Sequence, residues 1–276
     1  MKPFDEAVVN PAGVRTQVVT AWRGGQVTEQ PDWVAEEVPV ALVFNGISHA
    51  VMLASPDHLE DFALGFALTE GFLSDRSELY GMEIERGAQG VSLQLEVAAA
   101  CEWRLKERRR SMAGRTGCGL CGTDSLDQVS REVPTVPMVQ LRPGVLAVGQ
   151  RALREWQVMQ QLTGAAHAAA WCDLDGRMVL LREDIGRHNA LDKLVGAMAC
   201  EGIDPAQGWM LVTSRASFEM VQKTAMAGAG LLAAVSAPTS MAVDLAERCG
   251  LALAGFVRGD DFVAYTWPER FGLSGR

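Results

Sequence analysis

The sequence predicts an α/β protein with a smaller, β-rich α+β part at its N-terminus. Before residue 133, short runs of alternating apolar and polar residues are joined by glycine-containing turns, a pattern typical of β-hairpins. After residue 134, apolar runs of strand length alternate with helical segments, as in sheets covered by helices on both faces. We therefore assign residues 1–133 and 134–276 to separate domains. With 276 residues, 48% of them apolar, the chain can bury a large core.

Two hairpins are predicted in the N-terminal part. Apolar residues alternate over 38–44 and again over 47–53, on either side of Asn45-Gly46. Asn-Gly between two such runs is the strongest short hairpin signal. Residues 83–85 and 91–97 form a second alternating pair around glycines. The first 35 residues show β-type alternation without a specific motif.

One helix is predicted between these hairpins. The tripeptide Ser55-Pro56-Asp57 provides a serine cap, a proline for the first helical position and an acidic residue for the positive helix end. Apolar residues then recur at helical spacing over 59–66, and Gly71 ends the run.

The C-terminal part is predicted as a largely parallel sheet. The expected strands are 168–174, 177–181, 209–213, 231–235, 251–257 and 262–266, with the first two joined at Asp175-Gly176. The expected helices are 153–162, 188–200, 218–229 and 240–248. Three cysteines in these elements have apolar neighbours, and we expect them to be buried packing residues: Cys172, Cys200 and Cys249.

The charge balance argues against two classes of partner. Lys and Arg number 25 against 34 Asp and Glu, a net charge of −9, so the overall field does not attract nucleic acid or an anionic membrane. A local basic stretch lies between Arg104 and Arg115. A signal peptide would have an apolar stretch where this chain has the acidic residues Asp5 and Glu6. The longest apolar run, 225–235, is shorter than the ~20 residues of a membrane span. We expect a cytoplasmic protein.

The cysteine pair of CGLC, Cys118 and Cys121, is the first candidate for chemistry. The surrounding glycines predict a mobile, exposed loop. The nearby Arg115 favours the thiolate, which is the reactive form of cysteine. A structural zinc site is the alternative, but it uses four ligands, usually in two close pairs, and the chain has no second pair of this kind. We therefore favour redox or sulfur chemistry and predict no metal ligands.

Three loops that follow predicted strands are candidates for ligand binding: 213–215, 236–240 and 258–261. In open α/β sheets, ligands lie outside the carboxyl ends of the strands, and helix N-termini favour phosphate. The alternative is that Ser214 and Ser236 only cap helices. Because two of the three loops also contain arginine, they favour an anionic or nucleotide ligand.

Two further motifs allow less definite interpretations. The segment Arg182–Lys193 has seven ionisable side chains at a strand-to-helix junction. It is either a solvated helix start or a ligand-binding turn shaped by Gly186. His167 resembles the first residue of the H-x-E motif of zinc deaminases, but Ala169 stands where the catalytic glutamate would be. Deamination is therefore not expected.

Eight segments together resemble the formate dehydrogenase accessory sulfurtransferase family, FdhD. They begin at residue 36 and are EEVPVALVFNG, DFALGFALTEGFL, TGCGLCGTDSL, TGAAHAAAW, REDIGRHNALDK, SRASFEMVQK, AVSAPTSMAVDLAERCGL and GFVRG. The CxxC spacing alone is unspecific, whereas the combination is highly specific. Gly117 departs slightly from the family, in which serine or alanine is common before the cysteine.

The resemblance implies a function and a site. The family takes persulfide sulfur from a cysteine desulfurase and transfers it to the molybdenum (or tungsten) bis-guanine-dinucleotide cofactor required by formate dehydrogenase. The persulfide maps to Cys118, with Cys121 beside it in the catalytic pair. The resemblance also implies a cytidine-deaminase-like fold for residues 134–276, GDP as a cofactor analogue, and a homodimer. The cofactor-binding turn together with the strand-end loop gives Phe256, Val257, Arg258, Gly259, Asp260, Asp261, Ser214 and Arg215 as predicted cofactor-binding residues.

Two other function classes stay open at this point. A non-catalytic chaperone could bind and shield the same cofactor without using Cys118. A thiol–disulfide oxidoreductase could use CGLC, although no βαβ pattern surrounds the pair as in thioredoxin-like proteins.

Overall fold

The structure, a computed structural model, describes residues 11–101, 103–106 and 133–273. The N-terminal part begins with a two-stranded antiparallel sheet of β1 (Val14–Arg23) and β2 (Gln26–Ala35). A four-stranded sheet follows, in the order β4-β3-β6-β5. Its strands are β3 (Val38–Phe44), β4 (Ile47–Ala54), β5 (Leu79–Gly87) and β6 (Gly90–Val97). Helix α1 (Leu59–Thr69) packs on this sheet.

Both predicted hairpins of the N-terminal part are confirmed. β3 and β4 pair antiparallel from Phe44↔Ile47, so Asn45-Gly46 forms the turn. Both turn residues have positive φ, 46° and 79°, as a type I′ hairpin turn requires. β5 and β6 also pair antiparallel, while β3 and β6 pair in parallel.

The C-terminal part contains a six-stranded sheet in the order β12-β11-β10-β9-β7-β8. Its strands are β7 (His167–Asp173), β8 (Met178–Asp184), β9 (Gly208–Val212), β10 (Leu231–Ala234), β11 (Ala252–Arg258) and β12 (Asp261–Ala264). Its helices are α2 (Val145–Trp156), α3 (Val158–Thr163), α4 (Arg187–Glu201), α5 (Phe218–Met226) and α6 (Ser240–Cys249).

This sheet is mixed rather than parallel throughout. Only β9, β10 and β11 run parallel to one another. β7 pairs antiparallel with both β8 and β9, and β12 pairs antiparallel with β11. The reason is that β7–β8 and β11–β12 are joined by tight turns, and only antiparallel strands can be joined in this way. The prediction of a parallel sheet is therefore correct only for its centre.

Apolar layers cover both faces of this sheet, as predicted. On β9, Met210 and Val212 pack with residues of α4, α5 and α6 on one face, while Trp209 and Leu211 pack with α2 and Phe271 on the other. The N-terminal sheet and α1 form a separate apolar core. No helix within the described residues is long and apolar enough to cross a membrane.

Three local predictions are wrong. Ser55 does not cap α1, because His58 occupies the N-cap position with a φ of 50° and Ser55 turns inward to Asp184. The helix predicted over 153–162 is two helices that meet at Gln157. Cys200 is exposed in the last turn of α4. Cys172 and Cys249 are buried, and burial raises the pKa of the Cys172 thiol to about 12.

The two parts are joined by a close crossing of α1 and α4. A Cβ atom at Gly65 would lie 1.7 Å from Asp192 O, and one at Gly196 would lie 1.8 Å from Asp61 O. Real Cβ atoms cannot approach a carbonyl oxygen so closely, so only glycine allows this backbone-to-backbone contact. Beside the crossing, Arg182 Nε donates to Asp61 Oδ2 at 2.7 Å.

We predict that Gly65→Ala destabilises the protein by about 1–3 kcal/mol or more, the range for overpacking. This loss exceeds the gain of about 1 kcal/mol that alanine otherwise brings to a helix interior. Urea unfolding followed by circular dichroism measures the change. Gly81→Ala is the control, because its Cβ would meet only the Glu96 side chain, at 3.6 Å. An unchanged midpoint for Gly65→Ala would contradict the contact.

Candidate functional site

The carboxyl ends of the three parallel strands meet at one edge of the six-stranded sheet. The loops that follow β9 and β10 stay together at this edge, where Ala216 N donates to Ala237 O at 3.2 Å. The pair β7–β8 reaches the same edge, because His167 at the start of β7 lies opposite Asp184 at the end of β8. This is the edge at which open α/β sheets bind ligands.

A cavity of about 560 Å³ opens at this edge, between the sheet and the segment that contains α2 and α3. Its volume is within the ~300–1,000 Å³ of typical small-molecule sites. The lining residues are Gln150, Leu153, Arg154, Gln157, Gln160, Gly164, Ala165, Ala166, His167, Ile185, Thr213 and Val235. Several side-chain donors therefore surround a space large enough for a nucleotide.

Glu183 of β8 fixes the wall of the cavity that α3 forms. Its two carboxylate oxygens accept hydrogen bonds from the backbone N–H groups of Met159 (2.7 Å) and Gln160 (2.9 Å). These are orphan donors of the first turn of α3, so the interaction explains why the chain starts a new helix after Gln157. The pKa of Glu183 is raised, because the effect of burial exceeds the opposite effect of the hydrogen bonds from α3.

Two glutamine side chains of the lining have defined orientations. Gln160 Oε1 accepts from Ala166 N at 2.9 Å, and Gln150 Oε1 accepts from Gly259 N at 3.1 Å. The second bond connects the cavity directly to the predicted turn 256–261. Gln150 thus lies at both the cavity and the turn.

His167 is half-buried at the cavity. Burial lowers its pKa, and electrostatic interaction with Arg187 and His188 lowers it further. The imidazole is therefore neutral at pH 7 and has one donor and one acceptor nitrogen. Ala169, at the position of the glutamate in a zinc deaminase, is fully buried in the core.

The strand-end residues Ser214 and Arg215 follow Thr213 of the cavity lining. Ser214 is buried and its Oγ donates to the carbonyl oxygen of Arg215 at 3.0 Å. Arg215 is exposed. The N-cap positions of α5 and α6 are instead occupied by Ser217 and Thr239. The alternative that Ser214 and Ser236 only cap helices is therefore wrong.

The predicted turn, Phe256–Asp261, joins β11 to β12 and packs against α2. Asp260 forms an ion pair with Arg151 of α2 at 3.2 Å. Val257 is buried, whereas Phe256 and Arg258 are exposed. Among the described residues, the Arg258 side chain has no hydrogen bond or ion pair. The turn is therefore connected to the cavity through α2, but its own residues do not line the cavity.

Part of the segment Arg182–Lys193 has a structural role. Lys193 is fully buried and lies 2.8 Å from Asp184 Oδ2, and it also donates to Ser55 Oγ at 2.7 Å. Asp184 accepts further hydrogen bonds from Gly186 N and Asn189 Nδ2. This network connects the start of α4 to the chain that precedes α1, so the solvated-surface interpretation is wrong for these residues.

A second buried network is centred on Asp192, the residue of α4 directly before Lys193. Lys223 of α5 contacts both carboxylate oxygens of Asp192, at 2.9 and 3.0 Å, and Glu70 at 3.1 Å. Thr69 Oγ1 completes it with a 2.6 Å bond to Asp192. Burial lowers the pKa of Lys223, but the charges of Asp192 and Glu70 outweigh burial and raise it. The ammonium is therefore charged.

Arg187 and His188 differ from the rest of the segment, because both lie close enough to His167 to lower its pKa. His188 Nε2 is 2.8 Å from Glu219 Oε2. The two groups are close but not aligned for a hydrogen bond. Arg187 Nε is buried without a hydrogen-bond partner among the described residues. The ligand-binding interpretation stays open for these two residues.

Comparison with known proteins identifies the family of the chain. The family model described as FdhD/NarQ matches residues 35–272. The chain belongs to the FdhD/NarQ family. A protein of Variovorax paradoxus (strain S110) named "Sulfur carrier protein FdhD" is 58% identical over 97% of this chain and 96% of its own. A protein of the same name from Cupriavidus necator is 57% identical over 92% of this chain and 89% of its own.

A solved structure shares the fold. The crystal structure of a protein described as a formate dehydrogenase accessory protein, from Desulfotalea psychrophila, superposes with a TM-score of 0.74. It covers 93% of this chain and 98% of its own at 22% identity. The mixed α/β architecture with several sheets is thus shared with a distant protein.

The predicted catalytic pair, Cys118 and Cys121, lies outside the described residues, although the FdhD/NarQ match spans it. Within the described residues, no three His, Cys, Asp or Glu side chains form a group that could hold a metal ion. The other predicted site residues lie at the edge of the sheet as described above.

The sequence analysis missed the residues that line the cavity from α2 and α3. Gln150, Arg154 and Gln157 are spaced by four and three positions, which places them on one face of a helix. This polar spacing on the amphipathic helix α2 and its C-cap was the available signal. Its significance depends on the sheet edge opposite, which the local sequence does not specify.

We predict that Lys193→Met costs about 3–5 kcal/mol of stability, because it leaves the buried carboxylate of Asp184 unpaired. Asp184→Asn should also be destabilising, because it removes the carboxylate closest to the buried ammonium of Lys193. The double variant should lose clearly less than the sum of the two, since neither charge then remains buried alone. Urea unfolding of all four proteins measures the cycle, and additive losses would show that the two residues do not interact.

Proposed function

We propose that this protein is a sulfur carrier that accepts persulfide sulfur from a cysteine desulfurase on Cys118. It then passes the sulfur to the molybdenum (or tungsten) bis-guanine-dinucleotide cofactor, which formate dehydrogenase requires for activity. The main support is membership of the FdhD/NarQ family, with relatives such as the one of 58% identity named sulfur carrier protein. The motif CGLC within the matched residues provides the thiol.

The loading step transfers sulfur without a net change in oxidation state. The Cys118 thiolate attacks the terminal sulfur of the donor's persulfide. A new S–S bond forms on Cys118, and the donor's S–S bond breaks as its cysteine leaves as a thiolate. The basic residues near CGLC favour the attacking thiolate.

The acceptor is proposed to bind at the carboxyl edge of the six-stranded sheet. A guanine dinucleotide has phosphates and a polar base. The exposed Arg258 guanidinium is available for a phosphate, with Arg215 exposed on a neighbouring loop. The other residues of the turn, Phe256 to Asp261, and Ser214 complete the proposed site. The cavity beside the turn is large enough for a nucleoside.

Three other expectations stay predictions. These are the cytidine-deaminase-like classification of residues 134–276, the homodimer and the cytoplasmic location. The deaminase-like comparison concerns fold only, since His167 lacks the accompanying glutamate.

We predict that Cys118→Ser abolishes formate dehydrogenase maturation, because a serine hydroxyl cannot form a persulfide. Cys121→Ser, the matched substitution in the same motif, should still load sulfur. Mass spectrometry after incubation with a cysteine desulfurase and cysteine should show a gain of one sulfur atom, located on Cys118. Full maturation by Cys118→Ser would instead favour the non-catalytic chaperone.

We predict that Arg258→Ala weakens GDP binding by about 1.5–3 kcal/mol, the range for a hydrogen bond to a charged group. Persulfide formation on Cys118 should not change, since loading needs the donor and not the nucleotide. Calorimetric titration with GDP, run beside the loading assay, separates the two effects. Arg86→Ala, which removes an exposed arginine from the N-terminal sheet, is the control. Unchanged GDP affinity for Arg258→Ala would place the ligand elsewhere.

A further inference from the structure

Three buried side-chain atoms without a hydrogen-bond partner lie where the N-termini of α4 and α5 meet. They are Arg187 Nε, His188 Nε2 and Ser217 Oγ, which have no such partner within the described part of the chain. His188 is only 8% exposed, and its 2.8 Å contact with Glu219 joins the first turns of the two helices. Because buried polar groups are normally paired, this group of atoms indicates a site that is built to receive a ligand.

The two helix N-termini add backbone donors to this site. Ser217 is the N-cap residue of α5, but its hydroxyl makes no capping bond, and no side chain caps α4 either. The first N–H groups of both helices therefore have no partner within their own helix. The positive end of a helix dipole attracts anions. Together with the guanidinium of Arg187, these donors point to an anionic ligand.

The charge and burial of the site favour a small monoanion. Arg187 contributes one full positive charge, whereas the Glu219 carboxylate beside His188 repels a dianion more strongly than a monoanion. The three unpaired atoms are buried from solvent, so a strongly hydrated oxyanion would lose most of its hydration on binding. Sulfur is a weaker hydrogen-bond acceptor than oxygen, and a sulfur anion loses less when it leaves water.

We propose that the N-termini of α4 and α5 bind the anionic form of the sulfur that this protein carries, through Arg187, Ser217 and the first N–H groups of both helices. The ligand class is a sulfur monoanion, either the terminal sulfur of a persulfide or free hydrosulfide. The proposal rests on the proposed sulfur-carrier function and adds a place at which the sulfur is held.

His167 connects this sulfur site to the cavity. It lines the cavity and is close enough to Arg187 and His188 for electrostatic interaction. Arg187, His188, Ser217 and Glu219 are not among the residues that line the cavity. A sulfur anion between α4 and α5 would therefore lie beside the space proposed for the acceptor without occupying it.

An NMR titration that follows the backbone amides of the full-length protein tests the site. Thiocyanate serves as a stable sulfur monoanion, hydrosulfide is added under anaerobic conditions, and sulfate serves as a dianion, all at constant ionic strength. We expect thiocyanate and hydrosulfide to shift the amide signals at the starts of α4 and α5 until they saturate. Sulfate should bind there roughly tenfold more weakly, because Glu219 repels its second charge. This comparison alters only the ligand, so it does not depend on the folding of any variant.

Two variants test the residues. Arg187→Gln removes the positive charge but keeps a polar side chain, and it should weaken thiocyanate binding by about tenfold, as for the loss of a hydrogen bond to a charged group. Ser217→Ala removes the hydroxyl and should weaken binding by a smaller factor. Arg86→Gln, the matched substitution of an exposed arginine on the N-terminal sheet, should leave the affinity unchanged. A thermal midpoint for each variant confirms that it is folded.

Loading of Cys118 with persulfide separates the two sources of the sulfur anion. If the terminal sulfur of the persulfide occupies the site, loading shifts the same amide signals and thiocyanate then binds more weakly. If free hydrosulfide is the ligand, loading leaves these signals unchanged. Either result supports a sulfur site, provided that the wild-type titration saturates.

The proposal would be overturned if neither thiocyanate nor hydrosulfide shifted the amides at the starts of α4 and α5. Sulfate binding as tight as thiocyanate binding, or an unchanged thiocyanate affinity in Arg187→Gln, would overturn it as well. Persulfide loading in the same preparation keeps the two levels apart. Loading without anion binding removes only this site, whereas anion binding without loading removes the sulfur-carrier function.

Discussion

The close contact between α1 and α4 determines how the two parts of this protein fit together. Gly65 and Gly196 allow the two backbones to meet where any Cβ atom would overlap a carbonyl oxygen. α4 begins at the edge of the six-stranded sheet that carries the cavity. The crossing therefore fixes the N-terminal sheet relative to the candidate site.

Buried charges add specificity to this contact. Asp184 accepts from Ser55, Gly186 and Asn189 and pairs with Lys193, so a single carboxylate joins the end of β8, the start of α4 and the chain before α1. Burying such a pair brings little net stability, because desolvation offsets the attraction between the charges. Removing either partner alone would leave the other charge buried without its partner, which is costly.

The candidate site depends on a second connection, between the edge of the six-stranded sheet and the helices α2 and α3. The sheet edge supplies His167 and Thr213, and α2 and α3 supply the glutamines. Glu183 connects the two sides, because it belongs to β8 but binds the first amides of α3. His167, Arg154 and two glutamine amides line the cavity, and the exposed Arg258 lies on the adjacent turn.

The sequence by itself determined the elements whose signals are local. Asn45-Gly46 between alternating runs specifies a hairpin, because only residues that tolerate positive φ form such a turn. The strands and helices of residues 134–276 follow from periodicity, and the family follows from motifs spread along the chain. Tertiary structure alone decided which strands run antiparallel, where the predicted helix breaks, that Ser55 faces Asp184 and that Cys200 is exposed. It also decided which residues of Arg182–Lys193 are buried and that Gln150 and Gln160 line a cavity. These outcomes depend on partners far away in sequence, as Ser55 and Lys193 are 138 positions apart. A side chain's own neighbours in the sequence do not say which distant group will satisfy its hydrogen bonds.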